Sequence, residues 1–173
     1  IPFGILSGNH RPADPARMRK ELGMPALNKA TEFQGIPIAA LDDACADLSI
    51  NCTDGRSKKQ NARFAESYLK ELKASAEPLP KTIFLASYDA VDTFVGEIPV
   101  IVAAGKHQFR VVKKDGSTII YTGSLGQGGV RGGKEASALI VDMSEEGYMV
   151  NCRRITWQAL DSSVNPVPSD CLS

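Results

Sequence analysis

The sequence contains few of the residues that most often bind metals. It has two histidines, His10 and His107, and its four cysteines include no Cys-x-x-Cys pair. A structural zinc site usually needs four cysteine or histidine ligands, two of them at short spacing. A zinc–thiolate site is therefore not expected.

Net charge and long apolar segments are also missing. The 20 basic and 20 acidic residues cancel, so bulk charge favours neither nucleic acid nor an anionic membrane as a partner. No apolar run approaches the ~20 residues of a transmembrane helix, so we expect no membrane span. No signal peptide is visible in this stretch. The 173 residues, 43% of them hydrophobic, are enough for one domain with a sizeable core.

The even number of cysteines favours two disulfide bonds. Among three connectivities we predict the two short ones, Cys45–Cys52 and Cys152–Cys171. The triplet Asn51–Thr53 also fits the N-glycosylation pattern. Together these features predict an extracytoplasmic or secreted glycoprotein with disulfide bonds; free buried cysteines are the alternative.

The central stretch of the chain is a buried strand followed by a hairpin. Ile98–Ala104 is a continuous apolar run of the length typical of a strand covered on both faces. Asp115-Gly116 lies between two runs rich in β-branched residues and predicts a tight hairpin turn. Because polar groups at the carboxyl ends of sheet strands commonly form sites, Gly105–His107 is the natural place to look for one.

The remaining segments predict an α/β fold with a mixed β-sheet sandwich and flanking helices. Residues 57–75 have the apolar spacing of an amphipathic helix. Thr82–Ala86 predicts a second buried strand beside Ile98–Ala104, at the centre of the sheet. Further strands are expected in residues 33–41 (a strand pair or one interrupted strand), 136–143 and 148–157, with a connection in residues 92–97. We expect one domain over residues 1–160 and an irregular tail over residues 161–173.

Three polar features have both a functional and a structural interpretation. Lys106 could bind an anion, or be an ordinary exposed lysine. The glycine-rich segment 126–133 could wrap a phosphate with its backbone amides and Arg131, or be a loop without a ligand. Ser87, Asp89 and His107 have the composition of a hydrolase triad, but no Gly-x-Ser-x-Gly motif surrounds the serine.

The order of several motifs resembles the calcineurin-like metallophosphoesterase family. Ile1–His10 is similar to that family's strand followed by Gly-Asn-His-Asp, and Ile98–His107 is similar to its strand followed by Gly-His-x-His. The helix and strand over Ala62–Ser87 and the hairpin and last strands over Phe109–Ile155 are similar to the family's later elements. The resemblance implies a metallophosphoesterase-like fold and a hydrolase, a phosphatase that acts on phosphate esters.

The same resemblance implies a metal site. In such a site, divalent ions (Mn, Fe or Zn) activate a water and clamp the phosphate oxygens. Asn9 and His107 would be metal ligands, and His10 would be the catalytic residue that donates a proton or hydrogen bond near the leaving group. We also expect these three residues to converge, because each ends a predicted strand.

The chain departs from the family pattern at several of these positions. Arg11 replaces the aspartate after Gly-Asn-His, Ser87 and Tyr88 stand where a histidine is expected, and Gly105–His107 keeps one histidine of two. The family's earlier motifs would precede Ile1. The sequence therefore predicts a degenerate member or a C-terminal portion that is catalytically impaired or incomplete as this chain.

Two functional hypotheses remain open at this point. One is a phosphate-ester hydrolase relative that binds a phosphate ester or another anionic ligand. The other is a non-catalytic secreted binding or assembly module on the same scaffold, with a partner chain or an oligomer. Metal content separates the two, since the hydrolase needs divalent ions and the module does not.

Overall fold

A computed structural model describes residues 30–33, 35–41, 58–75, 78–106, 108–122, 136–157 and 165–167. In chain order, these residues form β1 (Ala30–Phe33), β2 (Ile36–Leu41), α1 (Lys58–Ser75), β3 (Thr82–Leu85), a 3₁₀ turn (Tyr88–Ala90), α2 (Val91–Phe94), β4 (Val100–Ala103), β5 (Arg110–Lys114), β6 (Ser117–Tyr121), β7 (Ala136–Met143), β8 (Met149–Trp157) and β9 (Asn165–Val167).

The strands form two sheets. The main sheet has six strands in the order β1-β2-β3-β4-β6-β5, and the minor sheet has three in the order β7-β8-β9. Neighbours among β2, β3, β4 and β6 are parallel, whereas β1 and β5 pair antiparallel at the two edges. The minor sheet is antiparallel throughout. The described chain is thus mixed α/β with a mostly parallel main sheet and few helices.

The two strands predicted to be central neighbours are paired at the middle of the main sheet. β3 and β4 run parallel, with Ile83 beside Ile101 and Leu85 beside Ala103. All four residues of β4 are buried, which requires cover on both faces of the sheet and accounts for the uninterrupted apolar run. The prediction of a central pair is confirmed.

Helices cover one face of the main sheet. The apolar stripe of α1 that the sequence predicted, Ala65, Tyr68, Leu69 and Leu72, is buried against alternate strand residues such as Ile83 and Ile101. Phe94 of α2 is fully buried in the same cluster, with its ring 6.4 Å from that of Tyr68 in an edge-on arrangement. No helix of the described chain is long and apolar enough to cross a membrane.

The minor sheet covers the opposite face. Val102 and Ile120 of the main sheet pack in one cluster with Met149 and Cys152 of β8, and Leu139 of β7 packs against that cluster. Since strand side chains alternate between faces, residues 101 and 103 of β4 face the helices while residues 100 and 102 face the minor sheet. The described elements therefore stack in three layers: helices, main sheet and minor sheet.

Two predicted turns are present. Asp115 (φ 47°) and Gly116 (φ 81°) both have positive φ, as a two-residue hairpin turn with the twist of its strands requires. They join β5 to β6, whose residues pair antiparallel. Gly35 (φ 79°) lies between β1 and β2, so residues 30–41 form a strand pair, one of the two predicted alternatives.

Two segments differ from the sequence prediction. Part of the expected connection over residues 92–97 is helical, because Val91 and Phe94 bury their side chains under α1. Residues 165–167, in the tail predicted to be irregular, form β9, because their backbone pairs with residues 154–156 of β8. Both arrangements depend on contacts with another helix or strand, which a local sequence pattern does not reveal.

Candidate functional site at the carboxyl edge of the main sheet

The carboxyl ends of three adjacent parallel strands lie side by side. Leu85 of β3 is beside Ala103 of β4, which in turn is beside Tyr121 of β6. Residues that follow β3 and β4 are therefore brought to one edge of the sheet, together with the end of β6. Sites in open α/β sheets form at this edge because loops, and not strand interiors, supply polar groups there.

Lys106 is held at this edge by two aromatic rings. Its Nζ lies 5.0 Å from the centroid of the Tyr88 ring and 4.8 Å from that of the Tyr121 ring. Lys106 is exposed, while both tyrosines are partly buried and pack against the apolar cluster between the main sheet and the helices. An ammonium over the electron-rich face of a ring gains about 0.5–1 kcal/mol at an exposed site. The two rings thus restrict where the ammonium lies.

The lysine has no carboxylate partner within the described chain. The ion pairs formed among described residues join Lys73 to Glu97 and Lys114 to Asp92, and neither involves Lys106. Its charge is accordingly not neutralised by those pairs. A restrained, exposed cation at a strand end can attract an anionic group from solution.

Gly105 lets the chain turn tightly over Tyr88. Its φ is +93°, and a Cβ at this position would lie 3.3 Å from Cδ1 of the Tyr88 ring. Glycine adopts such a φ without the steric cost that other residues incur. Glycine at this position therefore allows the tight turn that places the Lys106 ammonium over the Tyr88 ring.

Arg110 adds a second cation to the same region. It is directly opposite Tyr121 in the antiparallel β5–β6 pair and is exposed. Directly opposed residues of an antiparallel pair share a face of the sheet, with Cβ atoms ~5 Å apart. Arg110 therefore lies on the same face of the sheet as Tyr121, whose ring Lys106 contacts.

Ser87 and Asp89 form a local turn at this edge. The Ser87 Oγ accepts a hydrogen bond from the Asp89 backbone N–H at 3.1 Å and caps the 3₁₀ turn. This bond satisfies a backbone donor that has no partner within the turn. The described contact is structural, and the triad hypothesis remains untested because His107 lies outside the described residues.

Several other predicted site residues also lie outside the described ranges. They are Asn9, His10 and the glycine-rich segment 126–133. The convergence of Asn9, His10 and His107 and their roles at a metal therefore stay predictions. Within the described ranges, no group of three or more histidine, cysteine or acidic side chains is arranged to hold a metal ion.

Cys152 is the one predicted disulfide residue within these ranges. It is buried and disulfide-bonded. Cys45, Cys52 and Cys171 fall outside them, so neither predicted pairing, Cys45–Cys52 nor Cys152–Cys171, is tested.

A second surface feature has a different character. A groove of about 660 Å³ lies on the helix side, lined by Glu66, Leu69, Lys70, Lys73, Asp92 and Thr93. Two of its residues are in ion pairs, with Lys73 Nζ 2.6 Å from Glu97 and Asp92 Oδ1 3.0 Å from Lys114 Nζ. The hydrogen bond to Asp92 raises the pKa of Lys114. Opposite charges therefore offset each other in this groove.

Sequence reasoning identified part of this arrangement and missed the rest. It singled out Lys106 as an anion contact but not Tyr88, Tyr121 or Arg110. Position in the sequence was one available signal. Tyr88 follows shortly after the apolar strand β3, and Tyr121 is the last residue of β6. Their joint contact with one lysine depends on β6 lying beside β4, which no local pattern shows.

Comparisons with known proteins add no assignment. No family model matches the chain, and neither a curated protein nor a solved structure matches it significantly. Functional inference therefore rests on the geometry of the carboxyl edge and on the sequence motifs.

Proposed function

We propose that this chain is a metallophosphoesterase-like domain that binds a phosphate ester or related anion at the carboxyl edge of its main sheet. As this chain, it is catalytically impaired or incomplete. The observation that supports binding is the position of the Lys106 ammonium, which lies 5.0 Å and 4.8 Å from the Tyr88 and Tyr121 rings at the end of parallel strands.

The residues at this edge suit a phosphoryl group. The Lys106 ammonium offers three N–H donors, and the Arg110 guanidinium offers a planar fork that can donate two parallel hydrogen bonds to phosphate oxygens. The tyrosine rings reduce the side-chain freedom that Lys106 would lose on binding. Both cations are exposed, so a ligand could enter directly from solvent.

Hydrolysis would need more than these cations. The motif resemblance assigns metal binding to Asn9 and His107 and proton donation to His10. Divalent ions (Mn, Fe or Zn) held there would supply an activated water and a clamp on the phosphate. The departures from the family pattern at Arg11 and Ser87 support weak single-metal or anion binding without strong phosphatase activity.

Calorimetric titration with inorganic phosphate and with phenyl phosphate tests the binding proposal. Lys106→Ala removes a charged hydrogen-bond donor worth about 1.5–3 kcal/mol, so affinity should fall at least about tenfold. Lys113→Ala is the matched control. Lys113 is also an exposed lysine, but it lies near the turn of the β5–β6 hairpin, away from the carboxyl edge. Equal losses in both variants, or no binding by the unaltered protein, would overturn the proposal.

The non-catalytic secreted module is the second candidate. The disulfide at Cys152 supports it, since such bonds persist mainly in oxidising, extracytoplasmic compartments. Elemental analysis separates the two candidates: bound Mn, Fe or Zn, at one ion or more per chain, would favour the phosphoesterase-like domain, because hydrolysis of this kind needs a metal. Metal-free protein that still binds phosphate would favour the module.

A further inference from the structure

The four edge strands of the two sheets differ in how they are protected from pairing with another chain. Natural edge strands are protected by shortness, proline or charged side chains. β1 has four residues, and β9 has three, including Pro166. β5 has exposed Arg110, Lys113 and Lys114. Each of these three edges therefore has a recognised form of protection.

β7 has none of these protections. It is eight residues long, Ala-Ser-Ala-Leu-Ile-Val-Asp-Met, and contains neither proline nor a basic residue. Its one charge, Asp142, accepts a hydrogen bond through Oδ2 from Asn151 Nδ2 of β8 at 3.1 Å. That bond directs the carboxylate towards β8 and away from the free edge. Ile140, near the middle of the strand, is 41% exposed.

We propose that the free edge of β7 is an interface through which two copies of this chain pair, β7 against β7 in antiparallel orientation. Among the described strands, only β8 pairs with β7, so within the described part of the chain the outer edge of β7 has no strand partner. The two three-stranded minor sheets would join into one six-stranded sheet, and the outer backbone groups of both strands would gain hydrogen-bond partners.

A second copy fits this edge because the strand is complementary to itself. When Ile140 is placed opposite Ile140 of the other copy, Asp142 falls opposite Ala138 and Leu139 falls opposite Val141. No like charges are opposed, so the electrostatic penalty of such pairs is avoided. Leu139 and Val141 pack against the cluster between the main and minor sheets. This register keeps both residues, and their equivalents in the second copy, on one common face of the joined sheet.

This inference does not depend on the proposed anion site, which lies on the main sheet. Sedimentation equilibrium at millimolar concentration should give twice the 18.5 kDa chain mass for the unaltered protein. Ile140→Lys should give the monomer mass, because lysines would face each other at the two-fold axis. Val150→Lys is the matched control on the neighbouring strand β8, at a position that is 60% exposed and does not lie on β7, and it should remain dimeric.

A monomeric unaltered protein would overturn the proposal, and so would equal dissociation of both lysine variants. A second variant tests the register directly. Ile140→Cys should form a covalent dimer on mild oxidation, because directly opposed residues have Cα atoms about 4.5–5.5 Å apart, within disulfide range. Val150→Cys should not. Cross-linking at position 150 and not at 140 would overturn the edge-to-edge arrangement.

Discussion

The two ends of the main sheet use polar residues in opposite ways. At the amino end, Thr82 Oγ1 donates to the Gly147 carbonyl at 2.8 Å and Ser117 Oγ donates to the Ile98 carbonyl at 2.7 Å. Both side chains are buried, at 0% and 2% exposure. At the carboxyl end, Lys106 is exposed and lies over two rings.

This difference distinguishes polar side chains that stabilise the fold from polar side chains that can bind a ligand. A buried hydroxyl must be hydrogen-bonded or it destabilises the fold, so its partners are fixed by folding. An exposed ammonium incurs no such penalty and can exchange water for a ligand. The amino end is therefore interpreted as the attachment of the minor sheet and hairpin, and the carboxyl end as the binding edge.

The largest effect is expected in β4, at the centre of the main sheet. Val100→Asp places a carboxylate in the core between the main and minor sheets, where an unpaired charge is costly. We expect the cooperative thermal unfolding transition to be lost, because the whole main sheet would unfold. Val150→Asp, at an exposed position of β8, should melt close to the unaltered protein. An unchanged melting temperature for Val100→Asp would contradict the central placement of β4.

A smaller effect is expected where the minor sheet meets the amino end. A Cβ on Gly147 would overlap the Pro37 carbonyl oxygen, so Gly147→Ala forces the β7–β8 turn away from β2. Gly116→Ala is the control, because both glycines have φ +81° and nothing lies within 4 Å of a Cβ at Gly116.

Backbone strain alone costs about 1–3 kcal/mol in either variant. Gly147→Ala should be the more destabilising in urea denaturation, because it adds the steric overlap with Pro37. Equal unfolding free energies for the two variants would contradict the close packing of the β7–β8 turn against Pro37.

Two serines provide a direct contrast between the ends. Ser117→Ala leaves the Ile98 carbonyl, which accepts from Oγ at 2.7 Å, without that partner at a buried site. We expect a loss of about 1–3 kcal/mol of unfolding free energy. Ser87→Ala at the carboxyl end removes a cap that is partly exposed to solvent, so it should fall at the lower end of about 0.5–2 kcal/mol. The reverse order in urea denaturation would contradict the comparison.

The smallest effect at neutral pH concerns the helix face. Burial, with a contribution from Glu71, raises the pKa of Tyr68 from 10.0 to about 12. The folded state therefore retains the proton more strongly, and this stabilisation is complete below pH 10 and lost as pH rises through about 12. Unfolding free energy should fall by on the order of 2 kcal/mol across that range.

Tyr68→Phe should remove this pH-dependent loss, because phenylalanine has no ionisable hydroxyl. It also removes the hydrogen bond to the Ala40 carbonyl, 3.3 Å long, and that cost of about 1 kcal/mol is present at every pH. The measurement is the slope of unfolding free energy against pH for the two proteins. Identical slopes would mean that Tyr68 does not titrate as a buried group.

Local sequence patterns were sufficient for much of the main sheet. Consecutive apolar residues predicted β3 and β4 as a covered central pair, and Asp115-Gly116 predicted the β5–β6 hairpin. Both signals depend on chemistry within a few residues: burial on two faces and positive φ at a tight turn. The pattern of α1 likewise depends only on helical spacing.

The arrangement of these elements could not be predicted in the same way. β6, the second arm of the hairpin, pairs with β4, and this leaves β5 at the edge. The three basic residues of β5 favour an edge position for that arm, but no local pattern shows which strand the other arm joins. The contact of Lys106 with Tyr121 follows from that choice, so the candidate site was predicted only as a lone lysine. The roles of Asn9, His10 and His107 stay predictions.

The central claim is that anions bind at the carboxyl end of the main sheet and not elsewhere on it. Titration of ¹⁵N-labelled protein with inorganic phosphate, followed by two-dimensional NMR, tests this claim residue by residue. We predict saturable shifts of the Gly105, Lys106 and Tyr121 amides, with the turn at Asp115 and Gly116, at the other end of the same hairpin, unchanged. Shifts that centre on the turn, or spread evenly over the surface without saturation, would contradict the account.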